Sequence, residues 1–234
     1  MNSPRTSRVL QLLSLVATNP EPTRLKDISA ALGVHPSMVS RMVADLIDGG
    51  FLAKSAYRSV TATPLLAVLG RHAGENHPLT RIARQELHSR VEELKYSCEF
   101  ATVTPCGLFH FYKRTFGTPA APPLWRSDLA AVIFAARQTP WEECLAILRS
   151  TMPSETDFPR FRERVEEAAQ NPFLLNYHSG RYWQLTLPVR CGETMCALSL
   201  AGTAATDMTQ IQFELSRLSA RIREVFNSRG YGNA

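Results

Sequence analysis

Ser37, Met38, Ser40 and Arg41 put hydroxyl, thioether and guanidinium groups into one short stretch. A guanidinium on an exposed helix face can donate a fork of hydrogen bonds to guanine O6 and N7, worth roughly 1–3 kcal/mol of discrimination. Serine hydroxyls suit base edges or phosphate oxygens. Further along, Lys54 and Arg58 bracket Ser55-Ala56-Tyr57, a placement that fits phosphate or minor-groove contact. Any one of these residues also reads as an ordinary solvated group. Their combination points to duplex DNA.

Other chemistries find little support. No G-x-S-x-G, phosphate-binding G-x-x-x-x-G-K, G-x-G-x-x-G or H-E-x-x-H motif occurs. The histidines (His35, His72, His77, His88, His110, His178) are scattered, and only His110 and His178, on predicted strands, are candidates to meet. Glu92-Glu93, Glu142-Glu143 and Glu166-Glu167 fall on predicted helices as solvated faces. The five cysteines form no CxxC pair and are odd in number, so buried free thiols are expected rather than a disulfide framework or zinc site. The expectation is no catalytic site, no metal, no cofactor and no enzymatic function.

The elements that must position the first set are legible. Apolar residues at 9, 10, 12, 13 and 16 make one helix face, stopped by Asn19-Pro20-Glu21-Pro22. Leu25 to Leu32 is a short helix ended by Gly33, a residue that tolerates a left-handed turn. His35 stands at an N-cap position and Pro36 at a first helical position. Val39, Met42, Val43, Leu46 and Ile47 then form an amphipathic stripe up to Gly49-Gly50. Residues 51–54 and 58–62 read as a hairpin. Two helices, a tight turn and a hairpin make a winged helix-turn-helix, whose second helix lies in the major groove.

After a short helix at 64–73 and a linker at 74–78, helix and strand alternate. Helices are expected at 79–96, 124–136, from Thr139-Pro140 to about Arg149, and at 158–170. Strands are expected at 99–104 and 108–113 around Pro105-Cys106-Gly107, and at 173–177, 182–189 and 195–201. A capping box of Thr209 and Gln212 opens a last helix. The fold class is α+β, with an antiparallel sheet flanked by helices behind the winged helix-turn-helix. The domains read as 1–63, a linker helix and linker at 64–78, a second domain at 79–228 and a frayed tail at 229–234.

The net charge of +5 is unevenly spread: residues 1–74 hold eight Lys/Arg against four acids. A basic first third suits contact with phosphate. No apolar run is long enough to span a bilayer and no signal peptide is evident, so a cytoplasmic protein with no membrane partner is expected.

From Leu25 to Leu52 the chain resembles the IclR-type regulators, named for the isocitrate lyase repressor. Leu25, Asp27, Ile28, Ser29, Gly33, Val34, Ser37, Val39, Arg41, Met42, Val43, Leu46, Gly50, Phe51 and Leu52 fit that family's helix-turn-helix pattern in register. Leu32 replaces its usual small polar residue. Pro123 to Ala135 is similar to a stretch beside the family's effector pocket, and Pro188-Val189 with Ala197 to Gly202 to a motif near its C-terminus.

The resemblance implies a GAF-like effector domain that binds a small, often anionic, organic molecule. Carried over by position, Arg126, Ser127, Asp128, Gln184 and Ser199 line its pocket, with Gln184 where the family frequently has Cys. Arg126 suits a carboxylate ligand, an internal salt bridge with Asp128, or the surface. Phe109, Phe111, Tyr112, Phe134, Tyr182 and Trp183 line the pocket or fill the core. A homodimer or dimer of dimers on a palindromic operator is implied. Two alternatives stay open: an effector-independent DNA-binding repressor, and a winged helix used for protein contacts.

Overall fold

Contacts within the chain gather into two units, Met1–Gly74 and Glu75–Ala234. The structure is a computed structural model and describes residues 4–105, 107–116, 124–149, 158–178, 182–203 and 207–231. Cys106, Pro123 and residues 232–234, which enter the sequence reading, lie outside the described residues.

The first unit begins with α1 (Pro4–Thr18), β1 (Thr23–Arg24), α2 (Leu25–Leu32) and α3 (Pro36–Asp48). The hairpin strands β2 (Leu52–Lys54) and β3 (Ser59–Ala62) follow, then α4 (Pro64–Asn76). Leu12, Val16, Ile28, Val39, Met42, Val43, Leu46, Leu52 and Val60 fill one core. Gly33 makes the turn between α2 and α3 at φ 59°, and its N–H donates to the Ala30 carbonyl. A side chain there would meet no neighbour, so the left-handed backbone is what favours glycine. β1 escapes sequence reading because it has two residues and forms only by pairing with β3, Thr23 opposite Val60.

In the second unit, α5 (Pro78–Leu94) leads into β4 (Ser97–Thr104) and β5 (Gly107–Arg114). A 3-10 turn (Leu124–Arg126), α6 (Asp128–Arg137), α7 (Trp141–Arg149) and α8 (Phe158–Gln170) come next. The chain ends with β6 (Leu174–His178), β7 (Tyr182–Cys191), β8 (Thr194–Thr203) and α9 (Met208–Ser228). The five strands form an antiparallel sheet in the order β5-β4-β8-β7-β6. Phe100, Trp183, Leu185 and Leu198 face α5 and α9, while Ala101, Leu174 and Ala197 face α6 and α8.

Besides shifts of one or two residues at several helix and strand ends, three boundaries differ from the sequence reading. Helix α4 runs through Gly74 to Asn76 instead of giving way to a linker at 74–78. His77 is then a one-residue break: it precedes a proline, takes an extended conformation and caps α5 by accepting from the Leu79 N–H. The helix expected at 124–136 is divided at Ser127, whose hydroxyl caps α6. Helix α9 is capped by Asp207 rather than Thr209, because a carboxylate two residues upstream accepts the Thr209 N–H and suits the helix dipole. Cys98, Cys144, Cys191 and Cys196 are buried free thiols. No helix among the described residues is long and apolar enough to cross a membrane.

Candidate nucleic-acid interface and effector cleft

The stripe of Val39, Met42, Val43 and Leu46 turns one face of α3 inward, so Ser37, Met38, Ser40, Arg41 and Ala44 lie exposed. His35 holds the start of this helix: its Nδ1 accepts from the Ser37 N–H at 3.3 Å and lies 2.9 Å from Ser37 Oγ. Between the first turn of α3, the start of α2 and the hairpin tip is a cleft of about 1040 Å³. Arg24, Lys26, Pro36, Ser37, Ser40 and Arg58 are among its lining residues.

The hairpin tip is tied to α2 by its backbone. The Leu25 N–H donates to the Arg58 carbonyl at 3.0 Å. Arg58 sits at φ 52°, a left-handed conformation uncommon for a side-chain-bearing residue. Its guanidinium carbon lies 5.2 Å from the centre of the Tyr57 ring, and Tyr57 is 84% exposed. An aromatic ring and a cation therefore stand together at the tip of the wing.

In the second unit a polar chain runs from α8 through the start of α6 to the sheet. Asp128, fully buried at its side chain, is ion-paired with Arg164. Its Oδ2 accepts from the Asn176 amide at 3.3 Å and lies 3.9 Å from His178 Nε2. His178 meets Gln184 Oε1 at 3.2 Å, and the Gln184 amide donates to Ser199 Oγ at 3.2 Å. Burial pushes the Asp128 carboxyl above its ordinary value, against the pull of Arg164, Asn176 and His178. Thr186, opposite Ser199 in the sheet, is fully buried, and its hydroxyl has no hydrogen-bond partner among the described residues.

This chain borders a cleft of about 580 Å³ lined by Trp125, Arg126, Arg160, Phe161, Glu163, Arg164, Asn176 and His178. Arg126 is exposed, with its guanidinium stacked 4.2 Å from the centre of the Trp125 ring.

Residues 6–56 match the IclR helix-turn-helix domain. The structure resembles the IclR-family transcriptional regulator of Brucella abortus, with a TM-score of 0.70 at 15% identity, covering 98% of this chain and 93% of that one. Residues 6–56 are thus an IclR-type helix-turn-helix domain, and the chain as a whole shares its fold with IclR-family structures.

The IclR-type regulator of Alicyclobacillus acidocaldarius shares the fold at a TM-score of 0.60 and 15% identity, over 96% of this chain and 99% of that one. An IclR homologue from Microbacterium hydrocarbonoxydans, solved with 4-hydroxybenzoate bound, does so at 0.56 and 14%, over 96% and 99%. At these identities the likeness is one of fold. The transcriptional regulator MntR of Lysinibacillus sphaericus is 34% identical over 79 residues, which are 34% of this chain. The matched stretch spans 57% of that relative's length.

The candidate DNA contacts fall into separate places. Ser37, Ser40 and Arg58 line the cleft of the first unit, whereas Met38 and Arg41 lie elsewhere on the exposed side of α3 and Lys54 ends β2. Arg24, Lys26 and Tyr57 also line the cleft and were not singled out as candidates; the first two were visible in the sequence only as part of the basic excess.

Among the candidate effector residues, Asp128, Gln184 and Ser199 share the polar chain and Arg126 lines the cleft. Ser127 is the N-cap of α6, its Oγ accepting from the Ala130 N–H at 3.4 Å. The salt bridge considered for Arg126 and Asp128 goes to Arg164 instead, which arrives on α8 and donates its other arm to the Arg126 carbonyl at 3.1 Å. Arg164, Asn176 and His178 were not named beside Asp128 because only the tertiary fold brings α8 and β6 to it, and Thr186 on β7 was not singled out in the sequence. His110 and His178 do not meet, since β5 and β6 are opposite edges of the sheet. Phe111, Tyr112 and Trp183 belong to the core under α5 and α9, and Phe134 to the other core.

Proposed function

We propose that this chain is an IclR-type regulator that binds a palindromic operator as an even oligomer, and that a small organic effector in the C-terminal unit modulates its affinity. The observation that carries the DNA reading is the basic cleft of Arg24, Lys26 and Arg58 beside the first turn of α3. Those cations suit backbone phosphates, and the exposed face of α3 suits the major groove, with Arg41 donating to a guanine. Lys54 adds a phosphate contact at the wing.

The effector reading is supported by the polar chain through Asp128, Gln184 and Ser199 and by the buried Thr186 hydroxyl, which has no hydrogen-bond partner among the described residues. Arg126 and Arg160 on the rim favour an anionic group on the ligand. The homologue holding 4-hydroxybenzoate makes aromatic carboxylates the first class to try. Binding shifts the population between conformers of different operator affinity.

Selection from a random pool of DNA duplexes at moderate salt tests the DNA reading, and an enriched palindrome is expected. The melting temperature with and without aromatic carboxylates tests the effector reading. A rise at millimolar ligand that also changes operator affinity is expected. Operator binding unmoved by any ligand would leave an effector-independent repressor. A pool without enrichment would favour the protein-contact reading of the winged helix.

A further inference from the structure

We infer that Met38, held in place by Arg8, reads the C5 methyl group of a thymine in each operator half-site. This rests on the DNA-binding reading above and assigns specificity within it.

The exposed face of α3 offers few groups for base edges. Ser37 Oγ lies 2.9 Å from His35 Nδ1, the same nitrogen that accepts the Ser37 N–H. A ring nitrogen that accepts one hydrogen carries none of its own, so the Ser37 hydroxyl proton points to it. Ser40 Oγ donates to the Pro36 carbonyl at 3.0 Å. Both hydroxyl protons are thus engaged inside the helix, so the serines keep only acceptor lone pairs, and Arg41 and Met38 are the long side chains left to reach base edges.

Met38 is 40% exposed, although Val39, Met42, Val43 and Leu46 already fill the core beneath α3. Its contact is with a distant cation: Arg8 Nη1, thirty residues earlier on α1, donates to Met38 Sδ at 3.7 Å. An unheld methionine is a poor reader because its side chain is flexible. Here the sulfur has a weak hydrogen-bond partner on α1 that biases its rotamer and leaves the terminal methyl as the free apolar end.

Among the bases, thymine alone projects an apolar group into the major groove. Met38 and Arg41 are three residues apart, a rise of roughly 4.5 Å along the helix, against about 3.4 Å for one base step along a strand. The thymine therefore falls within one or two steps of the guanine that Arg41 reads.

The test uses the full-length protein and the duplex it selects. Each thymine of the half-site is replaced, one at a time, by deoxyuridine, which removes only the methyl group. One thymine per half-site, next to or one step beyond the Arg41-dependent guanine, should lose about fourfold in affinity, the worth of one buried methyl. Met38→Ala should bring the thymine-to-uracil ratio at that position to one while the guanine preference persists. Arg8→Ala should reduce the ratio without abolishing binding. Tolerance of uracil at every position by the wild-type protein, or an unchanged ratio in Met38→Ala, would overturn the inference and leave the DNA reading intact. A pool that yields no operator would remove both.

Discussion

Single side chains in this molecule act through partners that are fixed locally. Arg41 stands on a helix whose start is capped by His35 and whose inner face is fully packed, so its guanidinium is presented from a rigid support. Arg41→Ala is expected to weaken operator binding ten- to a hundredfold per half-site, roughly 1–3 kcal/mol, and binding to random duplex far less. Competition titrations with both duplexes measure this, and equal losses on the two would refute a base-reading role. In the second unit, Asp128 has its charge compensated by Arg164. Arg164→Met should destabilise the chain by about 3–5 kcal/mol through an unpaired buried carboxylate, and Asp128→Asn in the same background should recover most of it. Denaturant titration of the two variants decides the point.

Pairs of elements are joined by ion pairs that make their packing sensitive to pH. Arg90 on α5 grips Glu214 on α9 with two hydrogen bonds, at 2.7 and 3.3 Å. Those bonds hold the Glu214 carboxyl below its ordinary value, against the opposing effect of burial. On β4, burial pushes Glu99 up, but His110 and Lys113 outweigh it and the carboxyl is again held low. A carboxylate depressed in the folded state stabilises fully above its unfolded value, about pH 4.3, and that stability is lost as pH falls through the folded value. The urea midpoint should therefore hold down to about pH 5 and fall below it, most steeply under about pH 4.3, and Glu214→Gln should make that fall shallower. A profile as steep as that of the wild-type chain would show that the α5–α9 pair contributes nothing to acid sensitivity.

At the scale of the whole molecule the question is assembly. Leu65, Val68 and Leu69 lie exposed at helical spacing on α4, and no residue of that helix is buried. Such a stripe suits a second copy of the chain, as a palindromic operator requires. If α4 makes the contact of the proposed even oligomer, Leu69→Glu would place a charge against it and is expected to yield monomers at micromolar concentration. Sedimentation velocity reports the outcome, and an unchanged oligomer would move the interface elsewhere.

Local physics made most of the first unit legible. The period of apolar residues in α1 to α3, the left-handed glycine at Gly33, the proline start of α3 and the hairpin all depend on neighbours in sequence, which is why Ser37, Met38, Ser40, Arg41, Lys54 and Arg58 could be named without coordinates. The order of helices and strands in the second unit was legible for the same reason. Wherever a residue's role depends on a distant partner, the sequence carried no signal. Nothing adjacent to Asp128 announces Arg164, Asn176 or His178, which arrive from α8 and β6, and nothing beside Met38 announces Arg8 on α1. The sequence by itself determined the winged helix-turn-helix, the α+β class and the group of candidate DNA contacts. The tertiary structure alone decided which hydroxyls are already engaged, which cation answers the buried carboxylate and which residues share a cleft, because packing elements far apart in the chain is what sets those distances.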